Sequence, residues 1–283
     1  MATFYNQATL NLGDSSLNSN VTVGEIVAGL SMTKTAATGG YGRGDSVTYI
    51  VSIVNDGAAD VTGVTLTDDL GAYIPVGATV EVVPLTYVDG SLLFYSNGSL
   101  EASPAVVAGD TLTVSGITVP GGRNVTLVYE AVANGFAPLE AGSVITNTAT
   151  LLGGETLTDT ATVPVREAPE LSIAKSLSPA VVTDNGELTY TFVIQNTGNE
   201  AVVATDGLTV TDTFNPVLSG ITVTLNGTPL AEGTQYTYNG TTGEFATLSG
   251  AIPVPAATYE RDSVTGAVTT TPGFAVLVVS GTV

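Results

Sequence analysis

One stretch of this chain is written twice, and the second writing ends before the first one does. Leu30-Ser-Met-Thr-Lys34 returns as Leu171-Ser-Ile-Ala-Lys175, an offset of 141 (171 − 30). Val47-Thr-Tyr49 with Asn55 returns as Leu188-Thr-Tyr190 with Asn196 at the same offset, and Leu66-Thr-Asp68 returns as Val210-Thr-Asp212 after a short insertion. A repeat of this length is domain-sized, so the 283 residues read as two tandem domains. The first copy runs on through Ile145-Thr-Asn-Thr-Ala-Thr-Leu151, a Gly-Gly turn and Leu157-Thr-Asp-Thr-Ala-Thr-Val163, a hairpin with alternating faces. The second copy reaches Phe274-Ala-Val-Leu-Val278, matched with Val125-Thr-Leu-Val-Tyr129, and shows no such hairpin before Val283. The hairpin's wording stands at the front of the chain instead. Phe4-Tyr-Asn-Gln-Ala-Thr-Leu10, a Gly-Asp turn and Leu17-Asn-Ser-Asn-Val-Thr-Val23 repeat it. Asn6 maps onto Asn147, Ala8 onto Ala149 and Leu10 onto Leu151, again 141 apart.

The repeated text is that of strands and turns. Val47–Val54, Val64–Thr67, Val80–Val83, Thr111–Val114 and Val125–Tyr129 alternate apolar and polar residues, with Gly, Asn and Pro between them. No segment sustains a 3.6-residue period between caps. The expected fold is all-β: two tandem immunoglobulin-like antiparallel β-sandwiches preceded by a β-hairpin. Residues 1–27 are the hairpin and a linker, 28–167 a complete sandwich and 168–283 an incomplete one. Residues 257–272 match no part of the repeat and read as a loop or hairpin insertion on the second domain.

Composition removes most functional classes. Asp and Glu number 26 against 6 Lys and Arg, a formal charge of −20, so nucleic acid and anionic membrane surfaces are not expected partners. Without Cys, His or Trp, thiolate and imidazole metal sites, Cys or Ser–His nucleophiles and the usual haem ligation are excluded. No cofactor is expected. Asp68-Asp69 and the Asp184–Glu187 stretch lack the spacing of a calcium loop, and no metal site is read from them. No apolar run reaches the roughly 20 residues of a membrane span. The opening Met-Ala-Thr-Phe-Tyr-Asn has neither the basic segment nor the apolar core of a secretory signal.

A sandwich without its closing hairpin exposes core and the unpaired N–H and C=O groups of a sheet edge. A strand-forming segment that enters the groove restores both, the logic of donor-strand complementation. Phe4, Ala8 and Leu10, with Leu17, Val21 and Val23 on the returning strand, make the apolar face of such a donor. Donation in trans joins opposite ends of identical subunits, a heterologous contact that builds a fibre. The hairpin could also close its own second domain, or remain an extra strand pair on a monomeric surface adhesion or carbohydrate-binding module.

The pattern Leu-Ser-x-x-Lys, Val-Thr-Tyr-x-x-x-x-x-Asn-x-Gly, Leu-Thr-Asp and Asn-x-Ala-Thr resembles the β-sandwich repeats catalogued as domain of unknown function number eleven. Those repeats occur in bacterial and archaeal surface proteins. The resemblance covers nearly all of both halves. It implies an extracellular structural role at a cell or spore surface, in a self-polymerising pilus or appendage subunit, and no enzymatic turnover.

Three residue types carry the remaining chemistry. The two lysines of the chain, Lys34 and Lys175, hold the same repeat position. Strand alternation puts them on the faces of Leu30 and Met32 and of Leu171 and Ile173. Asp68 shares the face of Val64 and Leu66, and Asp212 that of Leu208 and Val210. Asn147 shares the face of Ile145, Ala149 and Leu151, and Asn6 that of Phe4, Ala8 and Leu10. One Lys, one Asp and one Asn are thus expected to meet in each sandwich. Desolvation favours the neutral, nucleophilic amine, and a carboxyl group beside a carboxamide can polarise it. Amine attack on the Asn carbonyl with loss of ammonia leaves a Lys–Asn isopeptide bond. Lys34–Asn147 is then internal, whereas Lys175 meets Asn6 of the next chain. Similar sandwiches in Gram-positive surface proteins and pilins are known for such bonds, so the resemblance agrees. The alternative is a buried ion pair whose remaining hydrogen bonds Asn completes.

Overall fold

The computed structural model describes residues 3–13, 15–25, 29–153 and 156–283. Turn residues Asp14 and Gly154 and linker residues 26–28 lie outside the described residues. The chain divides into two compact units: residues 1–166 with 261–268, and residues 167–260 with 269–283.

The chain opens as a two-stranded ribbon. Strand β1 (Thr3–Asn6) pairs with β4 (Thr22–Glu25), and β2 (Thr9–Leu12) with β3 (Ser15–Asn18). Its apolar side chains face solvent: Phe4, Tyr5, Leu10, Leu12, Leu17, Val21 and Val23 are all exposed. The ribbon differs from the expected donor face in one respect. Val23 stands opposite Tyr5 and Phe4 opposite Gly24, so Val23 lies on the face away from Phe4.

The first unit then builds a closed sandwich. Strands β5 (Leu30–Ala36), β6 (Ser46–Asn55), β7 (Val61–Asp68), β8 (Leu85–Tyr87), β9 (Leu93–Ser96) and β10 (Ser99–Glu101) are followed by β11 (Ala105–Ala108), β12 (Leu112–Val119) and β13 (Arg123–Ala133). The hairpin β14 (Val144–Leu152) and β15 (Leu157–Pro164) ends the series. One sheet has the order β10-β9-β13-β6-β5, with β8 also on β13; the other has the order β11-β12-β7-β14-β15. Alternation decides what is inside. Val47, Tyr49, Val51 and Ile53 of β6 and Val125, Leu127, Tyr129 and Ala131 of β13 are buried, and the residues between them are not. Ile145, Asn147, Ala149 and Leu151 of β14 and Ala161 and Val163 of β15 complete that core. The expected strand at Val80–Val83 is corrected: Val82 makes only an isolated bridge to Tyr73, and the strand begins at Leu85. Pro84, between them, has no N–H to give a ladder.

In the second unit β16 (Leu171–Ser178), β17 (Glu187–Asn196), β18 (Thr211–Thr213), β19 (Ser219–Leu225) and β20 (Thr228–Pro229) precede β21 (Tyr236–Tyr238) and β22 (Glu244–Thr247). The ribbon β23 (Thr258–Arg261) and β24 (Val268–Thr271) leads to the last strand, β25 (Gly273–Thr282). The sheet β16-β17-β25-β19-β20 repeats β5-β6-β13-β9, but its partner has three strands, β18-β22-β21, where the first sandwich has five. β18 corresponds to β7, and nothing among the described residues occupies the edge on which β7 carries β14 and β15. The register also corrects one repeat match. Val125 opposes Ile53 and Ala275 opposes Ile194, so β25 aligns one residue later than the sequence suggests, with Tyr129 at Val279. That shift buries Ala275, Leu277 and Val279 and leaves Phe274 outside.

Residues 257–272, expected as an insertion on the second domain, are divided. Residues 261–268 group with the first unit. There Val268 N donates to Gly135 O (2.9 Å), Arg43 Nη2 donates to Val268 O (2.8 Å), and the Arg261 guanidinium lies 5.5 Å from the Tyr73 ring centre. Backbone hydrogen bonds and a cation–π contact thus hold residues 261–268 within the first unit.

Candidate functional site: one closed and one open lysine pair

In the first sandwich β5 brings Lys34 and β7 brings Asp68 into the core, and the two side chains are fully enclosed, at 0% exposure each. Lys34 Nζ donates to Asp68 Oδ2, and the Tyr129 hydroxyl donates to the same oxygen. Asp68 Oδ1 accepts from Leu70 N at 3.0 Å. The Tyr49 ring lies under the ammonium at 4.9 Å and stacks on Tyr129 at 5.6 Å. Ala149 of β14 pairs with Asp68, which places Asn147, two residues along, on the same inward face. Asn147 is completely buried, yet neither Nδ2 nor Oδ1 makes a hydrogen bond of ordinary geometry among the described residues, and neither does the Tyr49 hydroxyl, although Asn147 lies near enough to Tyr49 and Tyr129 to favour their ionised forms. Buried amides are rarely left so.

Burial pushes Lys34 below its ordinary value of 10.5, against the pull of the Asp68 carboxylate. A neutral amine is what nucleophilic attack requires. Burial also raises Tyr41, Tyr49 and Tyr129 well above 10.0. The sign for stability follows. While the Lys34 amine is free, the unfolded chain holds the extra proton between the lowered Lys34 value and 10.5, which favours folding as pH rises. Above 10.0 the unfolded chain loses tyrosine protons that the folded chain keeps, and stability falls. The first unit's melting temperature in calorimetry is therefore expected to drop steeply above pH 10.0. A flat alkaline limb would contradict burial of these hydroxyls.

The second unit repeats the pair in the open. Lys175 Nζ donates to Asp212 Oδ2, but the side chains are 40% and 19% exposed. Lys175 lies 4.6 Å from the Tyr190 ring centre and 5.5 Å from that of Phe214, and those two rings stack at 4.8 Å. All of β16 is exposed, so the expected inward burial of Lys175 with Leu171 and Ile173 does not occur in this chain. Among the described residues no strands cover its side of the core. Asn6, mapped onto Asn147, is exposed on the ribbon. Thus Lys34, Asp68 and Asn147 come together, Lys175 and Asp212 come together, and Asn6 joins neither pair.

The difference predicts a contrast in stability. Replacing Lys34 by Ala leaves the enclosed Asp68 carboxyl without the nitrogen it faces and is expected to cost about 3–5 kcal/mol. Replacing Lys175 by Ala is expected to cost about 0–1 kcal/mol, because that pair is solvated. Equal losses in urea titrations of the two variants would overturn the contrast.

Four residues at the two pairs are not singled out by the repeat reading. Tyr49 and Tyr190 were legible only as markers of the repeat, although their inward parity on β6 and β17 was available. Tyr129 has no tyrosine counterpart, since Val279 stands in its place. Asp69 binds through Oδ1 the N–H groups of Gly71 and Thr148 (both 2.8 Å), a link between β7 and β14. No cluster of three or more metal-ligating carboxylates occurs among the described residues.

The fold and site thus define an all-β chain of two related sandwiches that share a lysine–aspartate pair, covered in one and uncovered in the other. No protein-family model matches the chain, and no curated protein matches it. Among solved structures, the major pilin subunit BcpA of Bacillus cereus is similar at 14% identity over 72% of this chain and 69% of that one, with a TM-score of 0.37. A variant of that pilin gives 11%, 95%, 70% and 0.38. The pilus backbone protein RrgB of Streptococcus pneumoniae gives 12% identity and 0.36, over 87% of this chain and 55% of that one. Among the described residues no helix is long and apolar enough to cross a membrane.

Proposed function

We propose that the chain is a structural subunit of an extracellular filament, in which the ribbon Thr3–Glu25 of one copy completes the second sandwich of the next. One observation carries this reading. The same Lys–Asp pair is sealed where the hairpin β14–β15 is present and exposed where it is absent, and the ribbon bears that hairpin's residues. In the first sandwich β14 lies on β7 with Ala149 opposite Asp68 and Leu151 opposite Leu66. By the repeat, Ala8 of the incoming ribbon pairs with Asp212, Leu10 with Val210, and Asn6 faces Lys175. The resemblance to surface-protein repeats suits a cell- or spore-surface appendage.

The same geometry supports covalent joints. Lys34 passes a proton to Asp68; the neutral amine attacks Cγ of Asn147 while the carboxyl proton moves to the carbonyl oxygen. The tetrahedral intermediate expels its nitrogen as ammonia, which takes the proton that the lysine nitrogen gives up, and the amide carbonyl re-forms as its hydroxyl proton returns to the Asp68 carboxylate. The new C–N bond replaces the old one, and the orphaned Nδ2 donors of Asn147 leave with the ammonia. Lys175, Asp212 and Asn6 of the neighbouring copy do the same at each junction. The chain turns over no substrate. Electron microscopy of the purified protein tests the reading: fibres are expected from the full chain and separate particles from a chain lacking residues 1–25.

A further inference from the structure

The ribbon does not hold the register that its proposed role requires. In the hairpin β14–β15 one register runs throughout: Ile145 opposes Val163, Asn147 opposes Ala161 and Leu151 opposes Leu157. Carried to the ribbon by the sequence match, it demands Phe4 opposite Val23, Asn6 opposite Val21 and Leu10 opposite Leu17. The tip obeys, with Leu10 on Leu17. The root is one residue out: Phe4 opposes Gly24, Tyr5 opposes Val23 and Asn6 opposes Thr22. The break falls at Gln7 and Ala8, where Ser19 Oγ accepts from Ala8 N (2.9 Å), Ser19 N donates to Ala8 O (2.8 Å) and Gln7 Nε2 donates to Ser19 O (2.9 Å).

A one-residue slip turns every side chain of a strand to the other face. The free ribbon therefore cannot present Phe4, Leu10, Leu17, Val21 and Val23 together, and its root cannot lie in the second sandwich as β14–β15 lies in the first. In the slipped register Gly24 stands opposite Phe4. The Phe4 ring covers it so closely that a Cβ at residue 24 would stand 2.2 Å from Phe4 Cζ. A side chain there would have to push the exposed ring tip aside.

We propose that this slip is a gate: the free subunit stores its ribbon one residue out of the docking register, with Phe4 seated on Gly24, and a one-residue slide at Ser19 accompanies insertion. The gate rests on the reading of the ribbon as donor and adds to it a brake on premature assembly. Only the fraction of chains in the docking register can insert, which lowers the effective assembly rate in proportion.

The chain has no cysteine, so paired cysteines can fix either register. Residues directly opposite in an antiparallel pair are within disulfide reach, whereas residues one step off point to opposite faces. Tyr5→Cys with Val23→Cys locks the stored register; Tyr5→Cys with Thr22→Cys locks the docking register. In the free chain the first pair is expected to close and the second to lag. Once oxidised, the first variant is expected to assemble on the order of tenfold slower or not at all, with reductant restoring it. The second, oxidised, is expected to assemble faster than the unmodified chain. Faster closure of the second pair in the free chain, or assembly of the oxidised first variant at its reduced rate, overturns the gate. A reduced chain that makes no fibres overturns the donor reading and the gate with it, whichever pair closes.

Discussion

Removing residues 1–25 abolishes polymer: light scattering is expected to return the mass of a single chain at concentrations where the full chain forms fibres. The size of the effect follows from what the ribbon exposes. Phe4 is 58% and Leu10 68% exposed, with Leu17, Val21 and Val23 also in solvent. Their counterparts Ile145, Leu151, Leu157, Ala161 and Val163 are buried or half-buried against the first core. Burying a large apolar side chain gains roughly 1.5–3 kcal/mol, so five together gain roughly 7–15 kcal/mol before costs. Association itself costs an estimated 4–15 kcal/mol, and backbone bonds along the free edge of β18 add to the gain. Without the ribbon nothing offsets that cost. A synthetic peptide of residues 1–25 added to the shortened chain is expected to bind it one to one and leave it unpolymerised. Fibres from the shortened chain would sink the donor reading.

The second large effect is covalent. Intact-mass measurement of the unassembled chain is expected to find it lighter than its sequence by one ammonia, and Asn147→Ala at its full mass. The same substitution is expected to lower the first unit's stability by about 4–5 kcal/mol, the chain-entropy value of closing so long a loop between residues 34 and 147. At the junction, Asn6→Ala is expected to leave fibres visible in the microscope yet separable into monomers in boiling detergent, while unmodified fibres stay joined. An unassembled chain at full mass would leave Lys34 and Asp68 as a buried ion pair only. Full separation of unmodified fibres would reduce the junction to non-covalent donation.

Much of the site was readable because strand geometry is periodic. A side chain two residues from another lies on its face, so Lys34, Asp68 and Asn147 could be placed on inward faces from parity alone. The repeat then placed Lys175 and Asp212 together and tied Asn6 to Asn147. Parity does not say which strand covers a face. That is why Lys175 reads as buried and is exposed, and why the roles of Tyr49 and Tyr129 were not visible. Tyr129 reaches Asp68 from the opposite sheet, a contact between residues 61 positions apart that no local pattern encodes.

Sequence by itself determined the all-β class, the two related domains, the recurrence of one Lys–Asp pair and the likeness of the ribbon to the hairpin β14–β15. These are properties of alternation and repetition, which local chemistry writes into the order of residues. Tertiary structure alone decided the one-residue shift of β25, the membership of residues 261–268 in the first unit, the solvent exposure of Lys175 and the slipped root of the ribbon. Each depends on which backbone edge a strand meets and which side chain, such as Phe4 over Gly24, fits against it, and a change of one residue in that meeting reverses every face while leaving the text unchanged.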